Sequence, residues 1–91
     1  MKPYALKIQL FGIVQGVGMR YHVRNQARQI GLVGYVKNLP DGTVECLAIG
    51  KRDHIAKLIA SLRERAPGRI ERIETEPANP EHTYDAFDVR F

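Results

Sequence analysis

The chain has 91 residues, of which 44% are hydrophobic and 26% are charged, a balance that is typical of a globular domain and excludes a disordered chain. The length leaves room for one domain only, which we expect to span residues 1–91. The net charge of +4 favours an anionic partner, either a small phosphate or carboxylate compound or a nucleic acid.

The residue pattern in the first third of the chain predicts a strand, a loop and a helix. Apolar and polar residues alternate in residues 5–11, which predicts a half-buried strand. Three glycines fall within residues 12–18, and this density predicts a loop. From Met19 to Ile30 the apolar residues recur every three or four positions, which predicts a helix. Gly31 suits a left-handed cap at the end of that helix.

The middle of the chain predicts a hairpin followed by a second helix. Residues 33–37 and 43–49 have the composition of strands, and residues 38–42 between them are rich in turn formers. Asp53 is a plausible N-cap for the second helix. Apolar residues then recur at i, i+3, i+4 and i+7 from Ile55, which is the strongest helical pattern in the chain.

The last third predicts two strands separated by a loop. Residues 69–75 resemble a strand, although Ile70 and Ile73 stand three positions apart and not two or four. Residues 77–82 predict a loop. Apolar and charged residues alternate in residues 87–91, which predicts a final strand. We expect three residues of this strand in the core: Phe87, Val89 and Phe91.

The order of elements is strand, helix, strand, strand, helix, strand, with one extra short strand. This order predicts an α+β, ferredoxin-like fold, the split βαβ or βαββαβ plan, with an antiparallel sheet and two helices on one face. Because this fold serves many functions, it leaves the chemistry open.

The segment from Gly12 to Arg20 combines a strand end, a glycine-rich turn and a helix start. The first N–H groups of a helix lack internal acceptors, so they and the N–H groups of the turn can converge on an anion. The planar guanidinium of Arg20 can clamp two oxygens of a phosphate held there. The patterns GxxxxGK[ST] and GxGxxG both fail here, which excludes the two common nucleotide motifs. A tight turn beside a solvated Arg20 remains the alternative.

Asn38 ends the second predicted strand and begins the turn. Its amide can donate and accept hydrogen bonds, so it can orient a water molecule. Ordinary turn chemistry is the competing interpretation, because asparagine is frequent at such positions.

These segments carry a resemblance to a known family. Residues 12–20, Gly-Ile-Val-Gln-Gly-Val-Gly-Met-Arg, resemble the first signature of acylphosphatases, G-x-V-Q-G-V-x-[F/M]-R. Residues 34–38, Gly-Tyr-Val-Lys-Asn, together with residues 42–44 and Gly50, resemble their second signature. Because the length and the element order also agree, the resemblance covers essentially the whole chain.

The resemblance implies hydrolysis of acyl phosphates to a carboxylate and inorganic phosphate, by attack of an in-line water molecule and without a metal. It implies that Arg20 binds the substrate phosphate and that Asn38 positions the water. The backbone N–H groups of five residues would complete a phosphate cradle: Gln15, Gly16, Val17, Gly18 and Met19. Whether any side chain acts as a general base stays open, and the substrate phosphate itself is a candidate acceptor for the water's proton.

The expected partner is a small acyl phosphate, with inorganic phosphate or sulfate as competing anions. We expect no cofactor, no metal, no nucleic acid and no membrane partner, and we expect a monomer. The single cysteine, Cys46, cannot form an intramolecular disulfide, and no apolar run approaches the length of a membrane span. A free thiol and the lack of a signal sequence favour the cytoplasm.

Two alternatives differ from this enzyme. The first is a basic nucleic-acid-binding module of the same fold, but Tyr35 is the only aromatic residue on the second and third strands. The second is a carbamoyl-phosphate-handling domain like the one at the front of the much larger hydrogenase-maturation proteins.

Several other residue types are more simply structural. We expect Cys46 to be a core residue and His22 to face solvent or cap a helix. His54 and His82 are expected at the surface, and the three histidines lack metal-ligand spacing. Four arginines form a basic cluster whose simplest interpretation is a solvated face: Arg63, Arg65, Arg69 and Arg72.

Overall fold

The computed structural model describes residues 3–91 and confirms the predicted ferredoxin-like class. The elements in chain order are β1 (Tyr4–Ile13), α1 (Met19–Ile30), β2 (Val33–Asn38), β3 (Val44–Gly50), α2 (Arg52–Arg65), β4 (Arg69–Pro77) and β5 (Phe87–Arg90). The five strands form one sheet in the order β4-β1-β3-β2-β5, and both helices pack on one of its faces. Neither helix within residues 3–91 has the length and apolarity that crossing a bilayer requires.

The sheet is mixed, whereas the sequence predicted an antiparallel one. The β1–β4, β1–β3 and β2–β3 pairs are antiparallel, but β5 runs parallel to β2. The cause is the segment of residues 78–86, which reverses the chain after β4 and delivers β5 to the opposite edge. Ala78 N–H donates to the Ala5 carbonyl at 3.0 Å, and Gly34 N–H donates to the Ala86 carbonyl at 3.0 Å.

The core lies between the helices and the sheet, because alternate strand residues and one stripe of each helix point there. The predicted stripe of α1 is buried at Met19, Val23 and Ala27, and that of α2 at Ile55, Leu58 and Leu62. The strands contribute Ile8, Leu10, Val36, Val44, Cys46, Ala48 and Phe87.

A β-bulge explains the irregular spacing of the two isoleucines in β4. The register between β1 and β4 shifts between Phe11 and Gly12, and Glu71 is left without an opposing residue. One extra residue reverses the alternation of side chains along a strand. Ile70 and Ile73 therefore share a face, and both pack against the core.

Two predictions about local structure are wrong and one is confirmed. Lys51, and not Asp53, occupies the N-cap of α2; Asp53 lies in the first turn, where its charge suits the helix dipole. Phe91 was expected in the core but lies beyond β5 and is 91% exposed. Gly31 adopts the predicted left-handed cap at φ 99°.

Candidate functional site

The loop from Gln15 to Gly18 joins β1 to α1 and presents free backbone donors. Gly16 and Gly18 have φ values of 75° and 83°, in the left-handed region that favours glycine. A Cβ atom at either position would meet nothing within 4 Å, so this side of the loop is open. Among residues 3–91, no backbone carbonyl accepts a hydrogen bond from the N–H groups of Gln15 to Met19. These N–H groups are therefore unpaired donors beside an open space, which is the arrangement that an anion cradle requires.

Buried residues and one close backbone approach hold this loop. Val14 and Met19, which flank it, are each 1% exposed. Gly68 lies directly beneath it, where a Cβ atom would collide with the Ile13 carbonyl oxygen and would stand 2.8 Å from a methyl carbon of Val17. The loop is thus supported from below by the segment that follows α2.

The side chain of Gln15 ties the loop to the β2–β3 turn. Its amide nitrogen donates to the carbonyl oxygens of Leu39 and Thr43, at 2.8 Å in each case. Within the turn, Asp41 accepts from the Thr43 hydroxyl at 2.6 Å and from the Thr43 N–H at 3.0 Å. These hydrogen bonds hold the pKa of Asp41 below its ordinary value. From the sequence only the backbone of Gln15 was expected at the site; this side-chain contact spans 24 residues, and no local pattern indicates it.

Asn38 is the last residue of β2 and carries an unpartnered polar atom. Its side-chain oxygen Oδ1 is buried and has no hydrogen-bond partner within residues 3–91. Buried polar atoms are nearly always hydrogen-bonded, so an unpartnered one calls for an acceptor role toward a water or a ligand. This observation favours a functional interpretation of Asn38 over ordinary turn chemistry.

Arg20 is the second residue of α1 and forms none of the ion pairs found within residues 3–91. One of its guanidinium nitrogens donates a long hydrogen bond of 3.4 Å to the Arg90 carbonyl. The ring of Phe91 lies over the guanidinium, with its centroid 4.7 Å from Cζ. The positive charge is therefore held in place but is not neutralised by a carboxylate.

The pairing of β2 with β5 brings Arg20 to the same end of the sheet as Asn38. In this pairing, Arg90 of β5 stands opposite Lys37 of β2, which is the residue before Asn38. Because Arg20 bonds to the Arg90 carbonyl and Gln15 bonds to the turn after Asn38, the two predicted motifs meet at one edge of the molecule. Gln15, Arg20 and Asn38 thus lie around the same end of the sheet.

His22 departs from expectation, since it neither faces solvent freely nor caps the helix. Its Nε2 atom is buried and has no hydrogen-bond partner within residues 3–91. Burial lowers the pKa of His22 from its ordinary value of 6.5, so the ring favours the neutral form.

Cys46 and the four clustered arginines behave as the sequence indicates. Cys46 is fully buried, and burial raises the pKa of its thiol, which marks it as a core residue. In the part of the chain that the structure describes, no three His, Cys, Asp or Glu side chains come together as a candidate metal site. The basic cluster is exposed throughout: Arg63, Arg65, Arg69 and Arg72.

Comparison with known proteins gives consistent matches. The family model described as Acylphosphatase matches residues 6–89. An acylphosphatase of Yersinia pseudotuberculosis is 39% identical over 84 residues, which cover 90% of this chain and 90% of that protein. An acylphosphatase structure from Coxiella burnetii is 36% identical with a TM-score of 0.88, covering 98% of this chain and 94% of its own. One from Bacillus subtilis is 29% identical with a TM-score of 0.89, covering 97% and 99%.

Proposed function

As a member of the acylphosphatase family, this chain is a hydrolase of acyl phosphates, and we propose which of its residues carry the reaction. Arg20 and the backbone N–H groups of residues 15–19 bind the phosphoryl group of the substrate. Asn38 positions the attacking water molecule. The assignment rests on one juxtaposition: unpaired N–H donors beside an arginine that no carboxylate neutralises.

The phosphoryl group fits this set of donors. The N–H groups of residues 15–19 belong to the loop that leads into α1 and to its first residue, close to the helix start, where the helix dipole favours an anion. The two left-handed glycines allow the backbone to approach the phosphate closely, because no Cβ intervenes. The guanidinium of Arg20 adds paired hydrogen bonds to phosphate oxygens and a full positive charge.

The chemical step follows from positioning and charge stabilisation. The oxygen of water forms a bond to phosphorus while the bond from phosphorus to the carboxyl oxygen breaks, and the leaving group departs as a carboxylate. A carboxylate leaves readily without a proton, so no general acid is required. Arg20 and the N–H groups stabilise the charge on the equatorial oxygens of the transferring group. We expect these groups to suffice without a metal.

The unpartnered oxygen of Asn38 supplies the second requirement, which is orientation of the nucleophile. Oδ1 accepts one O–H of the water and turns its lone pair toward phosphorus. The other proton passes to an oxygen of the substrate phosphate, so no side-chain base is needed. A pH–rate profile that requires an enzyme base titrating near neutrality contradicts this proton route.

The same site leads to further inferences about partners and environment. We infer that inorganic phosphate and sulfate compete with substrate, because each offers the oxygens that the cradle binds. We also infer that the chain acts as a monomer and as one domain over residues 1–91, since every proposed site residue comes from a single chain. The unpaired Cys46 supports a reducing compartment such as the cytoplasm.

The nucleic-acid alternative lacks support from the geometry. Base-stacking modules of this fold expose aromatic side chains on the central strands. Tyr35 is the only aromatic residue of β2 and β3, and it is 8% exposed because the guanidinium of Arg90 covers it at 4.1 Å.

The test is the release of phosphate from acetyl phosphate by the wild type, Arg20→Ala and Arg24→Ala. Arg24 is the matched control, since it lies one turn further along α1, donates to the Asn25 side-chain oxygen and lies over the Tyr21 ring. We expect Arg20→Ala to lower kcat/KM by about 10³-fold, and Arg24→Ala to match the wild type. Wild-type-like turnover by Arg20→Ala, or equal losses in both variants, contradicts the proposed role.

A further inference from the structure

Three side chains stack on the sheet face opposite the helices. The Cζ atom of Arg90 lies 4.1 Å from the ring centroid of Tyr35 and 5.8 Å from that of Tyr84. Arg90 also donates to the Tyr84 hydroxyl at 3.4 Å, and the two tyrosine rings are 6.2 Å apart. The guanidinium of Arg90 is therefore held by two aromatic rings, a favourable cation–π arrangement.

Tyr35 is the rigid base of this stack. Its hydroxyl donates to Glu45 on the neighbouring strand at 2.9 Å, and Lys37 forms an ion pair with the same carboxylate at 3.5 Å. Burial and the Glu45 carboxylate raise the pKa of Tyr35 to about 12, so the phenol stays neutral and remains a donor. The ring thus has a fixed position on the sheet face opposite the helices, which we call the open face.

The backbone of the same arginine faces the functional site. Side chains alternate along β5, so Arg90 points to the open face while Phe91 points back toward α1. The Arg90 carbonyl accepts from Arg20, and the Phe91 ring covers the Arg20 guanidinium. The short segment of residues 90–91 therefore contacts the Tyr35 and Tyr84 rings on one face of the sheet and Arg20 on the other.

The end of β5 has little else to hold it. The strand has four residues and lies at the edge of the sheet beside β2. Arg28 restrains its first half, because it donates to the Phe87 carbonyl at 2.8 Å and pairs with Asp88 at 3.0 Å. Within residues 3–91, the side chains that restrain Arg90 and Phe91 at its end are Tyr35, Tyr84 and Arg20. Short edge segments open locally at low cost unless side chains restrain them. Arg20, which has no carboxylate partner within residues 3–91, depends on this segment for the contacts that restrain its guanidinium.

We propose that Tyr35, through its stack with Arg90, is a positioning residue for Arg20. The inference rests on the proposed function, in which Arg20 binds the phosphoryl group. Tyr35 touches neither substrate nor water. It fixes the end of β5 from the far side of the sheet, and so keeps the guanidinium of Arg20 directed toward the cradle before the phosphate arrives.

The experiment combines kinetics with a direct measurement on Arg20. Tyr35→Ala, Tyr35→Phe, Arg90→Ala and Arg90→Lys are compared with the wild type for acetyl phosphate turnover and for inhibition by inorganic phosphate. The 15N relaxation of the Arg20 Nε–H group is measured in each protein without ligand. Arg90→Ala is informative because it removes the stack and keeps the carbonyl that Arg20 bonds.

Arg72→Ala is the matched control. Arg72 stacks on the Phe11 ring at 4.0 Å on the same face of the sheet as Tyr35, but it belongs to β4 at the opposite edge and its partners are Phe11 and Glu74. The contact of Arg72 with Glu74 is an ion pair. Arg72→Ala therefore shows whether losing any exposed arginine that stacks on an aromatic ring affects the site. Thermal unfolding of every variant separates loss of stability from loss of positioning.

We expect Tyr35→Ala and Arg90→Ala to raise the inhibition constant of phosphate by about tenfold, with a smaller change in kcat, and to increase the mobility of Arg20 Nε. Tyr35→Phe keeps the aromatic face and loses the bond to Glu45, so its effect should be smaller than that of Tyr35→Ala, whereas Arg72→Ala should match the wild type. Arg90→Lys should fall between, because an ammonium stacks less well. If Tyr35→Ala does not fold, the two Arg90 variants decide.

The outcomes separate the two claims. An unchanged Arg20 Nε signal and an unchanged phosphate inhibition constant in Arg90→Ala overturn the positioning role. An equal effect in Arg72→Ala also overturns it. A wild type that does not hydrolyse acetyl phosphate contradicts the proposed function, whereas the relaxation of Arg20 still reports on the stack.

Discussion

The side-chain amide of Gln15 donates a 2.8 Å hydrogen bond to the carbonyl oxygen of Leu39, the residue that follows Asn38. A second bond of 2.8 Å runs from the same nitrogen to the Thr43 carbonyl. One side chain therefore fixes the distance between the loop proposed to hold phosphate and the residue proposed to hold water. In-line attack depends on that distance.

Gln15→Ala removes both bonds and leaves two carbonyl oxygens without this donor. We expect the free energy of unfolding to fall by about 1–3 kcal/mol, and kcat to fall by about tenfold because loop and turn separate. Denaturant unfolding and acetyl phosphate kinetics measure the two effects. Gln9→Ala is the control, since Gln9 donates only to the Thr43 hydroxyl at 3.0 Å and comes from β1. A kcat loss as large in Gln9→Ala contradicts a specific role for Gln15.

Asn38→Ala should lower the activity without lowering the stability of the fold. The variant removes a buried oxygen that has no partner within residues 3–91, so we expect the free energy of unfolding to stay unchanged or to rise. Without the oriented water, kcat should fall by about 10²–10³-fold while the inhibition constant of phosphate stays near that of the wild type. Full turnover in Asn38→Ala rules out the water-positioning role. A marked loss of stability indicates instead a structural role for the amide.

Gly68→Ala tests the support beneath the loop. Alanine at φ 71° is strained, and its Cβ would collide with the Ile13 carbonyl and press on Val17. We expect a loss of at least about 2 kcal/mol in the free energy of unfolding and weaker inhibition by phosphate. Gly31→Ala has a similar φ of 99° but open space around the added methyl, so it should cost only about 1 kcal/mol. Equal losses in both variants would show that the contact with the loop is unimportant.

His22 should make stability depend on pH. Burial lowers its pKa in the folded state below 6.5, so the unfolded chain binds a proton more readily. Stability is therefore fully present above pH 6.5 and is lost as the pH falls from that value toward the lowered pKa. We expect the melting temperature of His22→Leu to vary less than that of the wild type between about pH 7 and pH 5.

The control for that prediction is His82→Gln, which replaces an exposed histidine whose ring centroid lies 4.7 Å from that of Tyr84. It should retain the wild-type slope of melting temperature against pH. A slope that is the same in the wild type and in His22→Leu shows that His22 does not couple folding to protonation.

The features that the sequence predicted well are those specified by neighbours along the chain. The glycine-rich loop before α1, the α1 stripe from Met19 to Ala27, and the left-handed cap at Gly31 depend on local backbone preferences and on helical periodicity. The order of the elements followed from the same local patterns, and it was enough to predict the fold class.

The features that it missed arise from pairing between distant segments. The bulge at Glu71 exists only because β4 pairs with β1, and the parallel β5 depends on the path of residues 78–86. Phe91 continues the alternation of β5, yet it lies past the strand and stacks on Arg20. The Gln15 contact spans 24 residues, and no local signal indicates it.

Phosphate binding by the loop before α1 is tested most directly by following the backbone N–H groups of residues 15–19 in 1H–15N correlation spectra while inorganic phosphate is added. We expect saturable shifts that centre on these residues and the Arg20 Nε–H group, and a loss of those shifts in Arg20→Ala. Shifts confined to the exposed arginines at 63, 65, 69 and 72, with residues 15–19 unmoved, would contradict it.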